Sequence, residues 1–176
     1  MVIWITGLSG AGKTTLAKAL ASLLRPRMSN LVVLDGDHVR AVFGASLGHR
    51  IEDRVVQIKR LQAMAKMLDE QGIVVIVAVL YSVPELLKWN RQNFSRYYEV
   101  YIEAPIEFLQ ERDDKGLYAA ASAGRMPNVV GVDIPWLAPR EPDLILDATR
   151  GTPPAELARR VAALDPALRV GLTEPV

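Results

Sequence analysis

Cysteine is absent from the 176-residue chain. That excludes disulfides, thiolate metal sites and a cysteine nucleophile, and it fits a reducing compartment. Neither sign of charge is in excess, with 21 Lys and Arg against 20 Asp and Glu. No global field therefore draws nucleic acid or an anionic membrane, and an anionic ligand has to be held locally. No apolar run approaches the ~18 residues of a membrane span, and the N-terminus reads as a strand rather than a leader peptide. The expectation is a soluble cytoplasmic protein with neither nucleic-acid nor membrane partners. His38 and His49 lie in separate segments without HxxxH spacing, which argues against an imidazole metal site. Half of the residues are apolar, enough at this length for one sizeable core and little of a second, so residues 1–176 read as a single domain.

What is present begins at once. The apolar run Val2-Ile3-Trp4-Ile5 leads into Gly7-Leu8-Ser9-Gly10-Ala11-Gly12-Lys13-Thr14-Thr15, which opens an alanine- and leucine-rich helix. A glycine-rich turn between strand and helix lets successive backbone N–H groups face phosphate oxygens, and the helix aims the positive end of its dipole at the same point. Lys13 is placed to reach the β- and γ-phosphates, and the Thr14 hydroxyl to hold Mg²⁺. Gly7 to Thr15 are thus the candidate ATP-binding loop, with ATP and Mg²⁺ as the expected cofactors.

Apolar strands alternate with helical stretches along most of the chain. Strands are expected at Val2-Ile5, Leu31-Leu34, Ile73-Leu80, Tyr97-Ile102 and Asp143-Leu146, Val- and Ile-rich as strands covered on both faces should be. The fold class is α/β, a P-loop NTPase three-layer sandwich with a mostly parallel central sheet and helices on both faces. A helix from Lys13 to Leu24 ends at Arg25-Pro26, and a long one is predicted from Ile51 to Glu70. Ser82 reads as the N-cap of the next helix, with Pro84 in its first turn. Gly124 to Pro142 holds four prolines and reads as a lid loop over the strand ends. From Asp165 onward periodicity is lost, and a peripheral or frayed tail is expected.

Leu34-Asp35-Gly36-Asp37-His38-Val39-Arg40 follows the second strand. Ligands of open parallel sheets sit beyond the carboxyl ends of strands, so Asp35 and Asp37 should face the bound phosphates. One carboxylate can hold Mg²⁺ and the other accept a proton from an attacking hydroxyl. Asp-Gly-Asp is also good turn and capping chemistry.

The ordered set Gly7 to Thr15, Leu34-Asp35-Gly36-Asp37 with Arg40, Glu52-Asp53-Arg54, Arg112-Asp113 with Lys115-Gly116-Leu117-Tyr118, and Gly131-Val132-Asp133 with Pro135 resembles the adenylylsulfate kinase family over residues 1–150. That family transfers the γ-phosphoryl of ATP to the ribose 3′-hydroxyl of adenylylsulfate. The resemblance implies that Asp37 is the catalytic carboxylate, assisted by Lys13 and Asp35, with Thr14 and Asp35 on the metal. It implies that Arg40 and Arg54 hold the acceptor's anionic groups, as the planar arginine fork suits, that Lys115 is a further acceptor ligand, and that Arg112 belongs to the ATP side. It implies a small-molecule nucleotide acceptor and allows a homodimer.

The departures cluster on the acceptor side. Two phenylalanines that sandwich the acceptor's adenine in the family are here His49 and Val129, the latter beside Val130. The usual asparagine is Gln57, and Ser82-Val83-Pro84-Glu85 replaces a motif ending in arginine. Imidazole can stack, whereas valine has no π-face. Trp89-Asn90-Arg91-Gln92-Asn93 and Asn128-Val129-Val130-Gly131-Val132-Asp133 are similar to a branch of the family associated with cytidine diphosphoramidate phosphorylation. Trp89 itself continues the apolar face of Leu86 and Leu87, as a core residue would. A nucleotide-dependent switch is the reading from another class, weakened by the lack of an Asn-Lys-x-Asp motif. Intact Lys13, Thr14, Asp35 and Asp37 argue against a dead homologue.

Overall fold

The structure is a computed structural model that describes residues 1–44, 47–113 and 116–169. Five strands form one sheet in the order β2-β3-β1-β4-β5: β1 Val2–Thr6, β2 Leu31–Asp35, β3 Val74–Val79, β4 Tyr97–Glu103 and β5 Leu144–Asp147. All four pairings are parallel, with Val2 opposite Val75 on one side and opposite Tyr97 on the other. β1 and β3 are buried at every position, as strands covered on both faces must be, and this explains their unbroken Val and Ile content.

The helices are α1 Lys13–Leu24, α2 Gly36–Val42, α3 Ile51–Asp69, α4 Pro84–Asn93, α5 Ile106–Glu111, α6 Leu117–Ser122, α7 Pro154–Ala162 and α8 Pro166–Arg169. The crossover from β1 to β2 runs opposite in direction to those that follow. With right-handed crossovers, this puts α1 on one face of the sheet and α3 and α4 on the other, and α7 returns to pack on α1. β1 and β4 are therefore neighbours whose connections leave in opposite directions. That is the switch point where open α/β sheets bind ligands.

The five strands, α1 and α3 agree with the sequence pattern to within a residue or two, and α4 begins at the expected Pro84, whereas α2 and α5 to α8 were not anticipated. Two local expectations fail. Ser82 is not the N-cap of α4: Val83 occupies that position without a side-chain cap. Ser82 is instead buried, and among the described residues its hydroxyl meets no hydrogen-bond partner. Pro84 begins the helix with its preset φ, so no side-chain acceptor is needed there. Nor is the chain frayed over Asp165–Arg169, the rest of the expected tail lying outside the described residues. The Asp165 carboxylate is buried and accepts from Arg96 Nη1 at 3.0 Å, from the Tyr98 hydroxyl at 2.8 Å and from Ala167 N at 2.7 Å, while Leu168 enters the core. Trp89 stands edge-on to Phe94 with ring centroids 5.7 Å apart and packs against the core, in agreement with a packing role.

Candidate active site

The loop after β1 is built by conformations that side chains resist. Gly7, Gly10 and Gly12 have φ of 152°, 79° and 97°, and a Cβ on Gly7 would lie 2.6 Å from the Ile102 carbonyl oxygen of β4. Only glycine lets β1 turn this closely against its neighbour. Gly12 occupies the N-cap of α1 with no side-chain cap. The first N–H groups of that helix are thus left for a ligand, and the helix dipole reinforces them.

This loop floors a cleft of about 580 Å³. Ser9 to Thr15 form one side, and Asp35 and Asp37 the lip beyond β2. Asp35 does two things at once. Its Oδ1 accepts from Asp37 N at 3.0 Å and His38 N at 3.3 Å, capping α2, while its Oδ2 accepts from the Thr14 hydroxyl at 2.6 Å. The capping and functional readings of Asp35 are therefore compatible. The Thr14 hydroxyl and Asp35 carboxylate form a compact pair of hard oxygen donors beside the phosphate loop, which fits Mg²⁺, an ion that takes few protein ligands and completes its shell with water and phosphate. Among the described residues no larger cluster of His, Cys, Asp or Glu suited to a metal occurs. Asp37 stands two residues on, exposed at the lip, and among the described residues no hydrogen bond reaches its carboxylate. Lys13 Nζ donates to the Leu8 carbonyl at 2.7 Å, folded over the loop it belongs to.

The far wall of the cleft carries residues that sequence reasoning did not single out. Asp147 at the end of β5, Ala148, Gly151 and Thr152 after it, and Pro154 and Leu157 of α7 line the cleft together with Phe108, Leu109 and Arg112 of the α5 region. Arg112 lies over the Phe108 ring at 5.1 Å from its centroid, so the arginine expected on the ATP side does line this cleft. Thr-Arg-Gly-Thr-Pro after the last strand is turn chemistry at a carboxyl strand end, and that was the available signal.

The acceptor-side candidates gather at the start of α3. Arg40 Nη1 donates to the carbonyls of Leu47 at 3.1 Å and Gly48 at 2.6 Å. Arg54, only 8% exposed, donates from Nε to His49 O at 2.9 Å and from Nη2 to Asn128 O at 2.7 Å. Burial lowers the Arg54 pKa, and the positive charge of Arg40 adds to this. His49 is held below the ordinary imidazole range by partial desolvation and by Arg40 and Arg54, so it is neutral at neutral pH. Gln57 is buried. Its amide donates to Gly36 O at 3.0 Å and its Oε1 accepts from Arg60, which ties α3 to the root of α2. Lys115 lies outside the described residues.

The segment expected to be a lid is held by its own hydrogen bonds. Asp133 accepts from Asn128 N and Val129 N at 2.5 Å each, which stabilises the positive φ of Asn128. Its pKa is lowered, chiefly by the Asn128 amide bond. Val129 and Val130 are 4% and 2% exposed. They are core residues, and neither presents a face on which a base could stack. Gly131 fits between Leu8 and Ile106, where a Cβ would meet Ile106 at 2.8 Å. The lid thus rests on the phosphate loop itself.

A glycine-rich cradle at the switch point, a hydroxyl–carboxylate pair beside it and a second carboxylate at the lip define a P-loop nucleotide-binding protein equipped for phosphoryl transfer. The Adenylylsulphate kinase family model matches residues 1–147, and the chain belongs to that family, whose members are phosphotransferases with a hydroxyl acceptor. It is 43% identical over 150 residues to a cytidine diphosphoramidate kinase of Campylobacter jejuni, covering 83% of this chain and 85% of the relative. It is 38% identical over 164 residues to a probable bifunctional SAT/APS kinase of Sorangium cellulosum, covering 93% of this chain but only 28% of that longer protein. Among solved structures, the APS kinase CysC of Mycobacterium tuberculosis in complex with AMPPNP and APS superposes with a TM-score of 0.84 at 34% identity, covering 93% of this chain and 95% of the other. Among the described residues no helix is long and apolar enough to cross a membrane.

Proposed function

We propose that the chain transfers the γ-phosphoryl group of Mg²⁺-bound ATP to the ribose 3′-hydroxyl of adenylylsulfate, giving 3′-phosphoadenylylsulfate. The observation that carries this reading is the meeting, in one cleft, of the Gly7–Thr15 cradle, the Thr14–Asp35 pair and the Asp37 carboxylate, in a chain of the adenylylsulphate kinase family. Backbone amides and the α1 dipole would hold the triphosphate, and Lys13 would swing from Leu8 O to the β- and γ-oxygens. Thr14 and Asp35 would hold Mg²⁺, which offsets charge on the phosphates when bound. Asp37 would orient the acceptor hydroxyl and take its proton, so that positioning and electrostatics supply most of the acceleration. The Asp147–Thr152 loop and Arg112 would enclose the adenine of ATP. Arg40, Arg54, His49 and Lys115 would surround the acceptor.

One observation favours a second acceptor, cytidine diphosphoramidate. Val129 is sealed in the core, so a base could be stacked from the His49 side alone, and an aromatic contact is worth about 1 kcal/mol, several-fold in affinity. The relative that acts on that nucleotide is 43% identical. The test is a panel of adenylylsulfate, cytidine diphosphoramidate, shikimate and gluconate with ATP, with and without Mg²⁺. Saturable, Mg²⁺-dependent transfer to adenylylsulfate with the highest kcat/KM is the expected result. No transfer to it at any concentration would remove the leading reading, and preference for the cytidine compound would establish the second.

We also propose a homodimer. Val42, Phe43, Ile51, Val56 and Met67 are large apolar side chains left exposed on α2, its end and α3, and pairing of two copies there would remove them from water. Light scattering is expected to give twice the chain mass at micromolar concentration; the monomer mass throughout a dilution series would overturn this.

A further inference from the structure

Tyr118 takes no part in the reading above, yet it makes a long-range hydrogen bond to the heart of the donor site. Its hydroxyl donates to the Ser9 carbonyl at 2.8 Å across 109 residues of sequence. The ring is 3% exposed and lines the cleft. Its own position is well determined. Gly116 takes a left-handed conformation at the N-cap of α6, and the Asp113 carboxylate accepts from Leu117 N and Ala119 N at 2.9 Å each. α6 thus starts at a fixed place, with Tyr118 in its first turn.

The bond matters because of what the peptide plane does to the next residue. A trans peptide holds C=O and the following N–H antiparallel. Holding the Ser9 carbonyl on Tyr118 therefore also fixes the Gly10 N–H, which lies on the opposite side of the same peptide, at a residue that lines the cleft. Gly10 has φ of 79° and no Cβ, so nothing in its own side chain fixes that plane. The other flank of the loop is held by Lys13, which grips the Leu8 carbonyl but is required by the triphosphate when it binds. Tyr118 is free of that conflict. Burial, with the Asp113 charge added, pushes its phenol up to about 12, so the hydroxyl keeps its proton and stays a donor throughout the neutral range.

We infer that Tyr118 is a positioning residue for phosphoryl transfer: it presets the orientation of the Ser9–Gly10 peptide so that the Gly10 amide is directed at the ATP phosphates before they arrive. This rests on ATP being the donor and adds a residue from the acceptor-side segment to the donor cradle. A ligand contact to Tyr118 is not required.

The test is Tyr118→Phe, which removes one hydroxyl and leaves the ring in place. Binding of Mg·ATP and of adenosine is measured by calorimetry on wild type and variant, alongside thermal unfolding. The expected result is ATP affinity lower by roughly three- to ten-fold, the range of one hydrogen bond, with adenosine affinity unchanged because adenosine brings no phosphate to the loop. Equal losses for ATP and adenosine would overturn the inference, since Tyr118 would then only shape the cleft wall. Unchanged ATP affinity would overturn it as well, even if the variant melted earlier. A wild-type protein that bound no ATP would instead sink the donor assignment, so the two failures are distinguishable. Tyr118→Leu, which also removes the ring, is expected to weaken both ligands and to lower the melting temperature.

Discussion

Replacing Asp37 with asparagine is expected to lower kcat for phosphoryl transfer by about 10²- to 10⁴-fold, the range for loss of a positioned general base, while Mg·ATP affinity stays nearly unchanged. The substitution keeps the size and the backbone of α2 but removes the oxygen that can accept a proton. Asp37 is suited to this test because its carboxylate carries no structural burden: among the described residues no hydrogen bond reaches it, whereas its own backbone N–H is held by Asp35. Asp35 would behave differently. Its two oxygens cap α2 and bind the Thr14 hydroxyl, so Asp35→Asn should disturb metal binding and local structure together. Single-turnover assays with saturating acceptor, paired with ATP binding by calorimetry, separate the two residues. An Asp37→Asn enzyme with near-wild-type turnover would show that the proton goes elsewhere.

The donor side was legible in the sequence because its physics is local. Gly7, Gly10 and Gly12 are read from the residue type that positive φ demands, and Lys13 and Thr14 follow at fixed spacing on one helix. The strands were legible because β1 and β3 are buried on both faces and hence continuous in Val and Ile. What escaped depends on partners distant in the chain. Asp165 looked like the start of a loose tail, since nothing nearby reveals that Arg96 and Tyr98 await its carboxylate. Gln57 looked like a lengthened acceptor contact, but its amide is engaged by Gly36 and Arg60. The cleft wall after β5 had only the turn chemistry of Thr149 to Pro153 to mark it. Val129 was marked as an acceptor-side position lacking a π-face, and the structure buries it in the core.

The second large effect is expected at Arg54, for a reason the sequence could not supply. The residue type suggested an acceptor anion as its partner, yet two of its N–H donors hold the carbonyls of His49 and Asn128. Those carbonyls belong to the α2–α3 connection and to the segment before Gly131, which are far apart in sequence and are brought together by this one side chain. Arg54 therefore joins two segments that, on the proposed function, flank the acceptor, and its remaining nitrogen can still serve a ligand. Lysine has a single ammonium at the end of its stem and no planar fork, so it can reach one carbonyl but not hold both. Hydrogen bonds from a charged donor are worth about 1.5–3 kcal/mol each, and losing one should raise the acceptor KM by roughly 10- to 100-fold. Arg54→Lys is thus expected to raise the acceptor KM by that amount with the KM for ATP and the ATP affinity unchanged, because the Gly7–Thr15 cradle does not rely on this residue. Arg54→Ala should go further and also speed proteolysis at Arg125 in the loosened lid. If ATP and acceptor parameters moved together in Arg54→Lys, the arginine would be supporting the whole fold rather than joining these two loops. If neither moved, the carbonyl contacts would carry no weight in acceptor binding.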